Sequence, residues 1–246
     1  MRKQIKIMIL TMGIVFSQDP SDLFKSGNDS YNNKNYLAAT NSYEKILSQN
    51  IYNSELYYNL GNAYYKLGDF ANARWSYEMG IIIDPRDKDI VHNLFLVKQR
   101  IANTLEVPNS NILNIINNFF ASFTLQDFIF FSATVLLLMS FSSVIHRLTL
   151  SRFILIVQYF LLIIFFFGTT CSVIKYSWDN NSNYGIILND ETQLYSAPFI
   201  NDNIKISTFF SGNKVKIEQT TNSWIEISSI DGRKGWIRLE DIRTLD

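Results

Sequence analysis

Two histidines, His92 and His146, and one cysteine, Cys171, are the side chains of this 246-residue chain best suited to covalent or metal chemistry. They stand in separate segments, and neither histidine has an acidic partner at a fixed spacing. Cys171 lies inside a long apolar run, so the chain has no intrachain disulfide, no cysteine metal site and no exposed thiol nucleophile. The patterns GxxxxGK[ST], GxSxG, HExxH and CxxC do not occur. Glu44 and Glu78 recur at a fixed long spacing, which suits surface or interhelix contacts better than a general acid–base pair. The sequence therefore predicts no catalytic residues, no cofactor and no metal. What recurs instead is recognition chemistry, an amide and a phenol in register at Asn28/Asn62 and Tyr31/Tyr65. Lys+Arg and Asp+Glu both number 22, so no basic arm or acidic tail argues for nucleic acid as a partner.

The spacing of those pairs is 34 residues, and Gly27/Gly61, Tyr36/Phe70, Ala39/Ala73, Ser42/Ser76 and Tyr43/Tyr77 share it. A repeat of this length resembles tetratricopeptide (TPR) helix hairpins. Tyr57, Leu60, Gly61, Tyr64, Ala73, Tyr77 and Pro85 fall at that repeat's aromatic, Leu, Gly, aromatic, Ala, aromatic and Pro positions. Small residues let paired helices approach, Gly68 stops one helix and Pro85 ends the next. The copies depart from the pattern at Ser26, where Leu is usual, and at Gly80, where Ala is usual. A capping helix is expected over Asp87–Leu105, with Ile90, Val91, Leu94, Ile101 and Leu105 as its apolar stripe.

The TPR resemblance implies a concave groove lined by Asn28, Tyr31, Tyr58, Asn59, Asn62, Tyr65, Lys66 and Asn93. Asn28 and Asn59 match two positions of the carboxylate clamp found in some TPR proteins. Its cationic positions hold Phe24, Asp89 and Asn93, so a peptide or helix bound through aromatic and amide contacts is expected. Asn62 and Lys66 are expected to be exposed enough that alanine there costs no more than about 0.5 kcal/mol.

Two apolar runs follow, Leu125–Ile145 with the single charge Asp127, and Phe153–Ile174 with none. Each satisfies the roughly 20 residues that a bilayer core of about 30 Å requires. The break between them, His146–Arg152, carries Arg147 and Arg152 and no acid, which the positive-inside rule places in the cytoplasm. Both flanking regions are then non-cytoplasmic. Residues Met1–Ser17 read as a secretory signal, with Arg2, Lys3 and Lys6 before a short apolar core. Over Ile112–Phe123, Ile112, Ile115, Ile116, Phe119, Phe120 and Phe123 share one helix face, which suits a helix lying in the membrane interface or one packed against the end face of the repeats.

Beyond Tyr184 the apolar period changes to two. Lys214–Glu218 alternates, Asp231-Gly232 is a hairpin signal, and Gly235-Trp236-Ile237 follows on the next strand. Gly212, Trp224, Asp231-Gly232 and Gly235-Trp236-Ile237 resemble the common run of bacterial SH3 domains, although Phe210-Ser211 replaces the acidic residue usual before that glycine. Trp236 is expected in the barrel core and Trp224 is the candidate ligand face.

The order of parts resembles the aerotolerance-related BatE proteins, most specifically over Tyr57–Asp87 and with His92-Asn93-Leu94 in the capping helix. The expected fold is a multidomain membrane protein with an all-α TPR solenoid, a two-helix transmembrane hairpin and an all-β SH3-like small barrel. Its boundaries are a signal peptide at 1–17, a TPR domain at 18–105, a linker and interfacial helix at 106–124, and spans at 125–146 and 153–174. A cytoplasmic loop at 147–152 joins the spans, and a linker at 175–183 leads to the SH3-like domain at 184–246. The resemblance implies a non-enzymatic assembly protein of the bacterial inner membrane, with both domains periplasmic, in an envelope stress- or oxygen-tolerance complex. Implied partners are membrane proteins with von Willebrand factor A domains and a MoxR-type ATPase system. The alternative is an envelope module that grips peptidoglycan through the SH3-like domain.

Overall fold

The structure is a computed structural model that describes residues 19–101, 118–181 and 183–245. The expected signal peptide, residues 102–105 of the capping helix and residues 112–117 of the interfacial helix lie outside the described residues.

Five helices come first: α1 (Pro20–Asn32), α2 (Tyr36–Leu47), α3 (Ser54–Leu67), α4 (Phe70–Ile83) and α5 (Lys88–Arg100). Each begins at an Asp or Asn whose side chain accepts from a first-turn backbone N–H: Asp19, Asn35, Asn53, Asp69 and Asp87. These caps satisfy donors that a helix start leaves unpaired. The helices pair as α1 with α2 and α3 with α4 around Tyr43, Leu56, Tyr57 and Leu60, all nearly fully buried. Glycine is required where the hairpins close. A Cβ on Gly27 would lie 2.4 Å from the Tyr43 ring, and one on Gly61 2.6 Å from the Tyr77 ring. In α5, Ile90, Leu94 and Val97 are buried, whereas Val91 is exposed and leaves the expected stripe. The helix stops at Arg100, where Ile101 turns extended and is buried.

Two long helices follow, α6 (Leu125–Thr149) and α7 (Arg152–Asn181), both long and apolar enough to cross a membrane. Thr124 and Asp127 form a capping box at the start of α6. Only Leu150 and Ser151 separate the helices, a tighter turn than the expected loop at 147–152, because α6 continues to Thr149 and Leu150 takes a left-handed φ of 52°. The expected linker at 175–183 is also replaced over most of its length, since α7 runs through it. Lys175 and Asp179, one turn apart, pair at 3.0 Å, and the Trp178 ring stacks on Phe120 with centroids 6.1 Å apart. Inside the hairpin a Cβ on Gly168 would meet Ser132 Oγ at 2.7 Å, and Gln158 Nε2 donates to Ser143 Oγ at 2.9 Å. Close approach at small residues and cross-helix hydrogen bonds are the attractions available between helices in lipid.

The C-terminal part is one antiparallel sheet of β1 (Tyr184–Ile187), β2 (Thr192–Tyr195), β3 (Lys205–Phe209), β4 (Lys214–Thr220), β5 (Trp224–Ser228), β6 (Lys234–Arg238) and β7 (Ile242–Thr244). Its order is β3-β2-β6-β5-β4-β1-β7. The expected closed barrel is not formed, because β3 and β7 each pair on one side only. Ile187, Leu194, Phe209, Val215, Ile225, Ile227 and Ile237 fill its core. Trp236 does not join them. Side chains alternate along a strand, so with Gly235 and Ile237 buried inward, Trp236 is left half-exposed on the opposite face.

Candidate functional site

The first helices of the hairpins, α1 and α3, together with α5 bring the recurring amides and phenols onto one face. Tyr31, Tyr58, Asn62, Tyr65, Lys66 and Asn93 line a recess of about 280 Å³, joined by Tyr77 and Leu96. Tyr31 stands edge-on to Tyr36 and Tyr65 edge-on to Phe70, at centroid distances of 5.3 and 5.6 Å, which fixes the rings that border the recess. Burial, then the neighbouring phenols of Tyr36 and Tyr58, push the Tyr31 hydroxyl up from its ordinary value, so it stays a neutral donor and acceptor.

The asparagines also bond within the helical domain. The Tyr77 hydroxyl donates to Asn62 Oδ1 at 2.6 Å and Asn93 Nδ2 donates to the same oxygen at 2.8 Å. One repeat earlier, Tyr43 donates to Asn28 Oδ1 at 2.6 Å and Asn59 Nδ2 to the same oxygen at 3.4 Å. Each constellation locks the first helix of a hairpin to that hairpin's second helix and to the first helix of the following unit. Burial raises the Tyr43 hydroxyl to about 12 and lifts Tyr77 further, so both phenols remain protonated hydrogen-bond donors. Asn62 is half-buried and internally bonded, so it is not the cheap surface position expected from sequence. Asn62→Ala should destabilise the chain by about 1–3 kcal/mol, because it strands the buried Tyr77 hydroxyl. Urea unfolding of the detergent-solubilised protein measures this, and a change below about 0.5 kcal/mol would return Asn62 to the class of indifferent surface positions.

Residues 54–87 match the tetratricopeptide repeat family. The match covers α3, α4 and the turn after them, which is one TPR hairpin. No curated protein matches the chain. TPR hairpins are typically non-catalytic interaction modules, and the recess described above lies beside the matched hairpin.

The opposite side of that TPR hairpin is already occupied by the chain's own sheet. Arg243 on β7 donates from its two terminal guanidinium nitrogens to the Glu44 carboxylate, each at 2.9 Å, and Nη1 also reaches Asn72 Oδ1 at 3.0 Å. The same guanidinium lies 3.4 Å from the centroid of the Trp75 ring. Trp75 Nε1 donates to the carbonyl of Thr244 on β7, the strand that pairs on one side only. That bond satisfies one of the acceptors that an edge strand exposes. Lys214 reaches Glu78 at 2.8 Å, and Arg74 Nη1 donates to the Gly212 carbonyl at 2.9 Å. Gly212 has a φ of +82°, and a Cβ there would lie 2.6 Å from Ile101, so this position needs glycine on both counts. Ile186 and Leu245 of the sheet complete the core cluster of the helices. Sequence reasoning placed Glu44 and Glu78 at surface or interhelix contacts and passed over Arg74, Trp75, Lys214 and Arg243. One signal was available: Arg74 and Trp75 stand where the first repeat has Thr40 and Asn41.

Trp224 sits apart from both. It meets Tyr195 edge-on at 5.7 Å and lines a recess of about 770 Å³ with Phe199, Ile200, Arg238 and Leu239. Phe199 and Ile200 are more than half exposed.

Proposed function

We propose that this chain is a non-enzymatic, membrane-anchored interaction protein that holds a peptide or helix of a partner protein on the concave face of its helical domain. The observation that carries the reading is the convergence of Tyr31, Tyr58, Tyr65 and Lys66 on one recess of a TPR hairpin whose other side is filled by the sheet. The second groove hypothesis, a carboxylate clamp, lacks its cations and has its Asn28–Asn59 pair bonded internally. Tyr58→Ala with Lys66→Ala should weaken partner binding by about 1–2 kcal/mol per contact residue, roughly five- to thirtyfold, and Lys66→Ala alone, at an exposed position, should weaken it while keeping the unfolding midpoint. Crosslinking of the full chain in native membranes, followed by recovery of the partner, measures this. Full recovery with the double variant, and loss with Trp224→Ala, would move the binding site to the sheet. The exposed apolar recess beside Trp224 favours that second reading, in which an open SH3-like sheet grips cell-wall material.

The order of helical repeats, two apolar helices and a β-rich end supports reading the chain as a BatE-like protein of a bacterial inner membrane, acting in an envelope stress- or oxygen-tolerance complex. Membrane proteins with von Willebrand factor A domains and a MoxR-type ATPase system are the partners this reading names. Both flanking domains would be periplasmic. The direct bonds between Arg243 and Glu44 support their sharing one side, and Arg147 and Arg152 at the hairpin turn support a cytoplasmic turn. In a Cys171→Ser background, Asn50→Cys and Asn222→Cys should react with an impermeant thiol reagent from the periplasmic side, whereas Thr149→Cys should not. Opposite labelling of positions 50 and 222 would end the hairpin reading.

A further inference from the structure

The C-terminal end of α4 presents two large apolar side chains that the described chain leaves partly exposed: Ile82 is 58% exposed and Ile83 39%. They border a recess of about 690 Å³ shared with Pro85, Phe123, Leu125 and Trp178. The charged groups around it are closed on one another: Arg86 with Asp127 at 3.2 Å, Lys175 with Asp179 at 3.0 Å and Lys214 with Glu78 at 2.8 Å. What the recess offers is therefore apolar surface.

The level of this recess follows from helix geometry. The 25 residues of α6 span roughly 37 Å at about 1.5 Å each, and a bilayer is roughly 30 Å thick in its core and about 40–45 Å with its headgroups. With the Arg147–Arg152 turn in one headgroup layer, Leu125 reaches the other. Tyr176 and Trp178 of α7 fall at the same level, the usual place for interfacial aromatic residues. The recess thus opens where acyl chains begin.

We propose that the end of α4 is a second membrane-contact site, in which Ile82 and Ile83 enter the interfacial layer of the bilayer crossed by α6 and α7 and the recess beside Trp178 takes the upper part of a phospholipid acyl chain. The site rests on the two-span reading and adds to it. It sets the helical domain down on the membrane surface by its α4 end, with the tyrosine-lined recess fixed relative to that surface.

The test uses the full chain in a Cys171→Ser background, reconstituted without other proteins into phosphatidylcholine vesicles. An environment-sensitive fluorophore is attached at Ile82→Cys, at Leu137→Cys in mid-α6 and at Leu37→Cys at the start of α2. Leu37 and Leu137 are 62% and 71% exposed, so all three positions accept a label. Lipids carrying a nitroxide high on the acyl chain should quench the label at position 82 roughly twofold, as for a group lying about 5–10 Å into the headgroup boundary. The label at position 37 should instead respond only to aqueous iodide. Quenching at 137 with none at 82 would overturn the second contact site and leave the spans standing. No lipid quenching at 137 would overturn the two-span reading and this site with it.

Discussion

Replacing Trp75 by alanine should detach the sheet from the helices. The indole is 6% exposed, caps the open side of β7 through Thr244 and carries the Arg243 guanidinium on its face. Removing a buried Trp side chain costs about 3–5 kcal/mol, and the cavity would open at the seam itself. Arg243 would lose its aromatic platform, leaving a pair with Glu44 whose side chains are 25% and 31% exposed. A pair that exposed contributes little by itself. Hydrogen exchange on the detergent-solubilised chain separates local from global effects. Strands β1 and β7 should lose protection in Trp75→Ala, while β5 and β6, whose core lies inside the sheet, should keep it. Unchanged protection at Tyr184–Ile187 and Ile242–Thr244 would show that the docking does not depend on Trp75.

The second large effect is expected at Glu78. Burial alone would push its carboxyl up, but Lys214, then Arg74 and Lys98, outweigh that cost and hold it at about 2 against an ordinary 4.5. A depressed carboxylate contributes stability that is fully present above its unfolded value and is lost as pH falls through its folded value. Glu78's contribution to the contact between helices and sheet should therefore fade from about pH 4.5 downward and be lost near pH 2. Glu78→Gln should be less stable at neutral pH by about 3 kcal/mol, near the lower end for breaking a buried pair, because the Arg74 side chain is 3% exposed but Lys214 is 29% exposed. It should also lack the wild-type slope across that pH window. Unfolding midpoints of both proteins at several pH values provide the comparison. Parallel pH profiles would remove Glu78 as the titrating group.

Several elements were legible from residue spacing because their causes are local. The 34-residue recurrence places Gly61 beside Tyr77 and Gly27 beside Tyr43, since a hairpin of two helices closes only where one residue lacks a side chain. The two apolar runs read as spans through their length. Alternation from Tyr184 onward announced strands. It also bears on Trp236: once Gly235 and Ile237 point inward, a period of two turns the tryptophan outward.

What spacing could not reveal are contacts between residues far apart in the chain. Asn62 has the same composition whether it greets a ligand or accepts from Tyr77, and only the packing of α3 against α4 and α5 commits its oxygen. Closure of the sheet likewise depends on strand order, and here β7 ends against α4 instead of against β3. Glu44 and Arg243 are 199 residues apart, and Lys214 and Glu78 are 136 apart. No sequence period relates such pairs. The sequence by itself determined the repeats, the apolar runs and the strand period, because each follows from interactions within a few turns of backbone. The tertiary structure alone decided that the sheet covers one side of the TPR hairpin, because burying Trp75, Ile186 and Leu245 together requires surfaces that separate segments of the chain supply.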